Sequence, residues 1–130
     1  MNTIDTNAAR DAFVTHYLVT LTWSTGDVPD DTELADGVRD ELSAEARAWY
    51  DANATHIHCQ GAPLARDFSG TDAERQAAMA GHDFALTRNG HGAGFWDGDW
   101  PKPAAAILTR ASEAARQVDV YLGDDGLAYA

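Results

Sequence analysis

Four side chains of the kinds that move protons stand close together in the segment Gly81–Asp97, GHDFALTRNGHGAGFWD: His82, Asp83, His91 and Asp97. An imidazole titrates near neutral pH, and a carboxylate can orient it or take its proton. Two of each suit acid–base work or the holding of a cation. If the chain catalyses anything, these four are the candidate catalytic residues.

The elements around them set whether they meet. Phe84 to Arg88 alternates apolar and polar residues, and Asn89-Gly90 is the strongest short hairpin signal. A two-residue turn would pair Arg88 with His91, Leu86 with Ala93 and Phe84 with Phe95, all on one face. The glycines at 90, 92 and 94 would leave a bare surface that another backbone or a ring could approach. Antiparallel pairing would bring Asp83 and Asp97 together beside His82.

Other candidates are weaker. His56-Ile57-His58-Cys59 would place two imidazoles on one strand face, in the vocabulary of zinc ligands, but no CxxC partner exists. A helix end with partly buried histidines explains it better. Asp97-Gly98-Asp99 and Gly123-Asp124-Asp125-Gly126 lack the full ligand ladder of a calcium loop. The second reads as a hairpin turn. No phosphate-binding loop, dinucleotide fingerprint or serine elbow is present. No metal and no cofactor is expected.

The formal charge is −12, and Lys102 is the only lysine. Direct nucleic-acid binding is disfavoured, because it needs cations against phosphate. The charge fits solubility with codon bias, adaptation to salt, or mimicry of nucleic acid toward a basic partner. No apolar run is long enough to span a bilayer, no signal peptide is evident, and a lone Cys59 makes no internal disulfide. These features predict a cytoplasmic protein with no membrane partner.

At 130 residues one domain is expected over 1–130. Phe13, Val14, Tyr17, Leu18 and Leu21 predict a helix over Ala8–Trp23, although Val19–Trp23 also alternates like a strand. Val38, Leu42, Ala46 and Trp49 form the apolar stripe of a helix from about Gly37 to about Ala54, with Asp40, Glu41, Glu45 and Asp51 on its other face. Thr71-Asp72-Ala73-Glu74 is a capping box opening a short helix that Gly81 would end. A further helix follows over Ala104–Ala115. Val118, Val120 and Leu122, a turn, then Leu127 and Tyr129 give a second hairpin. The predicted class is α+β, an antiparallel sheet of two C-terminal hairpins packed on three to four helices.

The run from His82 to Asp97 and the ending Val118–Gly126 resemble a group of short acidic proteins encoded by tailed bacteriophages and prophages, over about the C-terminal half of the chain. That resemblance implies a viral accessory protein in the host cytoplasm, and no particular reaction. The expected function is a non-catalytic protein-binding module, an acidic inhibitor or nucleic-acid mimic directed at a host or phage protein. Its binding surface would be Asp40, Glu41, Glu45 and Asp51, with Thr87, Arg88, Asn89, His91, Trp96 and Trp100 around the hairpin. The alternatives are a small hydrolase or nuclease using the His/Asp set, and a structural or virion-associated oligomer.

Overall fold

A computed structural model describes residues 6–26, 28–29, 31–58, 68–90, 93–96 and 100–130. Its elements are α1 (Thr6–Ser24), α2 (Asp36–Ile57), α3 (Asp72–Arg88), α4 (Lys102–Ala114), β1 (Tyr121–Leu122) and β2 (Ala128–Tyr129). The fold is mainly helical, with one small antiparallel sheet near the C-terminus. No described helix is long and apolar enough to cross a membrane.

The sequence reading places α1, α2 and α4 within a few residues of their ends. It also anticipates the last hairpin, where Tyr121 pairs with Tyr129 and Leu122 with Ala128. Val19–Trp23 belongs to α1, not to a strand. His56 and Ile57 close α2 and His58 caps it, so the two histidines share no strand face. Cys59 lies outside the described residues.

The hairpin read at Phe84–Phe95 is overturned. Residues 72–88 are one continuous helix, opened by the expected capping box: Thr71 Oγ1 accepts from Glu74 N at 3.1 Å, and Thr71 N donates to Glu74 Oε1 at 3.0 Å. Gly81 does not end it. A helix buried on nearly every side shows no polar face, so five alternating residues cannot distinguish it from a strand. From Ala77 to Arg88 only His82 is not buried. Asn89-Gly90 is the helix stop: Asn89 caps α3, Gly90 takes φ +71°, and its N–H donates to Thr87 O at 3.2 Å. Only one hairpin remains among the described residues.

Small residues let α1 and α3 approach closely. Gly81 lies against the backbone of Phe13 and Tyr17, and Ala77 and Ala80 are fully buried beside it. An aromatic stack fills the rest of the core. Phe84 lies 4.9 Å from Tyr17 and 4.1 Å from Trp49 between ring centroids, nearly parallel to Trp49. Trp49 also donates its indole N–H to Ala111 O at 3.1 Å, tying α2 to α4.

The sheet is anchored through Ala128. Its N–H donates to Glu33 O at 2.8 Å, and its carbonyl accepts from Ala35 N at 3.0 Å. One edge of β2 therefore holds the segment that leads into α2, and the other edge holds β1.

Candidate functional site

Half of the expected polar cluster, His82 and Asp83, falls within the described residues. His82 and Asp83 are adjacent on α3, and His82 Nδ1 donates to Asp83 Oδ1 at 3.0 Å. His91 and Asp97 lie outside the described residues. Asp83 is buried, and its Oδ2 accepts the indole N–H of Trp100 at 2.7 Å. Trp100, expected as a binding residue, is itself buried and serves to hold that carboxylate. The arrangement fixes one ring nitrogen of His82 and leaves Nε2 as its free site. The ring is partly exposed, flanked by Trp23 at 6.1 Å and Phe68 at 6.4 Å. This can orient an acid or a base, and a second imidazole, His16 of α1, lies near enough to feel its charge. No group of three or more His, Cys, Asp or Glu side chains among the described residues could hold a metal ion.

Thr87, Arg88 and Asn89 were expected at an exposed turn and are instead structural. Thr87 Oγ1 accepts from Phe95 N at 3.0 Å, where Gly94 packs against it, so that glycine makes a close approach to α3 and not a bare docking face. Asn89 Oδ1 accepts from Val118 N at 2.8 Å. The Arg88 side chain is 2% exposed. Its Nε donates to Arg116 O at 2.7 Å, one terminal nitrogen to Tyr17 Oη at 2.8 Å and Glu45 Oε1 at 2.7 Å, and the other to Ala115 O at 2.6 Å and Glu45 Oε2 at 3.4 Å. Every N–H of the guanidinium is used. Two of its acceptors are carbonyls just past α4, where a helix leaves such groups unpaired. Burial pushes the Tyr17 hydroxyl up to about 12, with Arg88 pulling the other way.

The acidic residues of α2 do not share one face. At about 100° per residue, Glu41 and Glu45 fall on one side and Asp40 and Asp51 on another. Asp51 pairs with Arg10 of α1 at 3.2 Å, while Asp40 is exposed. Glu41 and Glu45 border an open groove of about 700 Å³ between α2 and the chain entering β1. Val38, Leu42, Val118 and Tyr121 provide its apolar surface, and Asp119 adds a third carboxylate. No cationic side chain among the described residues lines it. The volume falls within the roughly 300–1,000 Å³ of ligand sites. Asp119 and Tyr121 were missed as site residues. The alternation of Val118 and Val120 already placed Asp119 outward, but nothing local showed that α2 would face it. Trp96, also expected to bind, is exposed.

Two histidines on the other side predict a pH dependence. Burial lowers the pKa of His58, whose Nε2 shares a 2.6 Å hydrogen bond with the Tyr50 hydroxyl. Burial first, then repulsion from His82, lowers that of His16. A base whose pKa falls on folding takes its proton more readily in the unfolded chain. Its contribution to stability is therefore retained above the unfolded value of about 6.5 and declines as pH falls below it. The urea midpoint should fall between pH 7 and pH 5, and the double variant His16→Gln, His58→Gln should flatten that slope. An unchanged slope would assign it to other groups.

Comparison with family models, with curated proteins and with solved structures finds no match for this chain.

Proposed function

We propose that the protein is a non-catalytic binding module that engages a basic protein partner through the groove between α2 and the C-terminal hairpin. The observation that carries this reading is the composition of the groove: Glu41, Asp119 and Glu45, the last held from the buried side by Arg88, around Val38, Leu42, Val118 and Tyr121, with no cation lining the groove among the described residues. Apolar surface supplies affinity, and a rim of one sign selects and steers a partner of the other. The bacteriophage setting implied by the sequence resemblance fits a small acidic protein that occupies a basic surface of a host or phage protein, as an inhibitor or nucleic-acid mimic would.

The charge-reversed variant Glu41→Lys, Asp119→Lys tests it. Both side chains are exposed, so the fold should survive the change. The parent protein, immobilised at low salt in bacterial lysate, should retain a basic protein that the variant loses. The same partner should be released as salt rises and screening shortens to about 3 Å near 1 M. Identical capture by parent and variant would end this reading.

Among the described residues, the hydrolase reading rests on the Asp83–His82 pair. It would require activity that His82→Gln abolishes without unfolding the protein.

A further inference from the structure

We propose that the groove takes its partner as an added β-strand: an extended basic segment that hydrogen-bonds to the backbone of Gln117 and Asp119. This deepens the proposed function and rests on it, because the same groove is the docking site.

In a strand, the N–H and C=O of successive residues point to opposite edges. Residues 117–120 alternate in burial, with Gln117 and Asp119 exposed, Val118 half-buried and Val120 buried. The backbone groups of the two valines are engaged on one edge: Val118 N donates to Asn89 Oδ1 at 2.8 Å, and Val120 O accepts from Thr25 Oγ1 at 3.1 Å. By that alternation, carried back from β1 (Tyr121–Leu122) through these residues, Gln117 and Asp119 would face the other edge. Farther along, that edge is paired with β2: Tyr121 is opposite Tyr129, and Gly123 N donates to Leu127 O at 2.8 Å. Gln117 and Asp119 face the line along which β2 runs, but they make no backbone hydrogen bond among the described residues.

The groove occupies that strand position. Gln117, Asp119 and Ala130 border it on the sheet side, and Val38, Glu41, Leu42 and Glu45 on the helix side. A segment lying there would continue the line of β2 and pair with Gln117 and Asp119. Its alternate side chains would then meet an apolar surface and a rim of carboxylates. Strand addition of this kind draws affinity from the main chain and specificity from alternate side chains. Charge complementarity sets the occupant as a partner segment with Arg or Lys at alternate positions and apolar residues between them.

The probe is a blocked, fluorescently labelled octapeptide of alternating arginine and valine, measured by anisotropy against the whole protein. It should bind, while its glutamate–valine counterpart should not. Two further peptides carry N-methyl groups, one on every arginine nitrogen and the other on every valine nitrogen. Only one set of N–H groups can face Gln117 and Asp119, so one peptide should bind at least tenfold more weakly than the other. The variant Glu41→Gln, Asp119→Asn should weaken the parent peptide severalfold at low salt and little at high salt.

Equal binding of both methylated peptides would overturn strand addition while leaving the acidic groove as a docking site. Binding that ignores the Glu41→Gln, Asp119→Asn change would move the peptide elsewhere and overturn the proposal. No binding by the arginine–valine peptide would overturn it too, and the lysate experiment would then judge the wider reading. Sedimentation of the protein alone closes the remaining route: a dimer that the peptide dissociates would make a second copy the occupant, against this proposal.

Discussion

Arg88→Met should lose about 3 kcal/mol of folding stability, even though Arg88 lies at a helix end and has a carboxylate partner that reaches solvent. Glu45 is 45% exposed at its side chain, so water can solvate it once the arginine is gone. The larger loss lies elsewhere. The carbonyls of Ala115 and Arg116 and the hydroxyl of Tyr17 would lose their donor, and each such group costs about 1–3 kcal/mol when it stays dry. Relaxation and non-additivity keep the total below the simple sum. Glu45→Gln keeps a side-chain acceptor beside the buried guanidinium but removes its counter-charge, so it should cost about 1–2 kcal/mol, less than Arg88→Met. Arg88→Lys keeps the charge but loses the planar fork that reaches α1, α2 and the end of α4 together, so it should resemble Met more than Arg. Urea denaturation of Arg88→Met, Arg88→Lys and Glu45→Gln checks the order. A Glu45→Gln loss equal to that of Arg88→Met would place the energy in the ion pair and refute this account.

Gly81→Ala should destabilise by about 2 kcal/mol or more, although alanine is the better helix former by about 1 kcal/mol. A Cβ at Gly81 would run into the carbonyl oxygen of Phe13 and lie 3.0 Å from the nitrogen of Tyr17. Both are backbone atoms of α1, so relief requires the helices to move apart and the stacked rings of Phe13, Tyr17 and Phe84 to follow. Gly37, in the first turn of α2, provides the control. A Cβ there meets nothing within 4 Å, and alanine should stabilise by about 0.5 kcal/mol or more. Thermal unfolding of the two variants should move the midpoint in opposite directions. The same direction in both would mean that propensity, not close contact, governs position 81.

The elements best read from sequence are those with one wet side. Val38, Leu42 and Ala46 repeat on α2 because the rest of that helix faces water, and Thr71 with Glu74 signals a helix start through its own short-range hydrogen bonds. The last hairpin is legible for the same reason, with turn residues and alternation agreeing. The segment from Ala77 to Arg88 lacks a wet side, so its periodicity disappears. What remains is a local alternation and an Asn-Gly pair that suits a helix stop as well as a hairpin turn. The candidate site fails on similar grounds. Arg88 has acceptors from residues 17, 45, 115 and 116, and no local pattern announces such a meeting. Glu41 and Glu45 were correctly read as exposed acids. Their groove depends on where Gln117–Tyr121 comes to rest, which is decided by Asn89 and the aromatic core.

The close seat of α3 on α1 also dictates when the molecule can begin to settle. Among the described elements these two helices pack on each other most extensively, yet all of α2 lies between them in the chain. On a ribosome, α1 emerges before α3 with Phe13, Tyr17 and Leu21 unsheltered, and α2 gives it only a lesser contact. Synthesis has to reach Arg88 before its main partner exists, and to pass Arg116 before that arginine has its acceptors. Until then the nascent chain carries an uncovered aromatic helix, the kind of surface that chaperones bind.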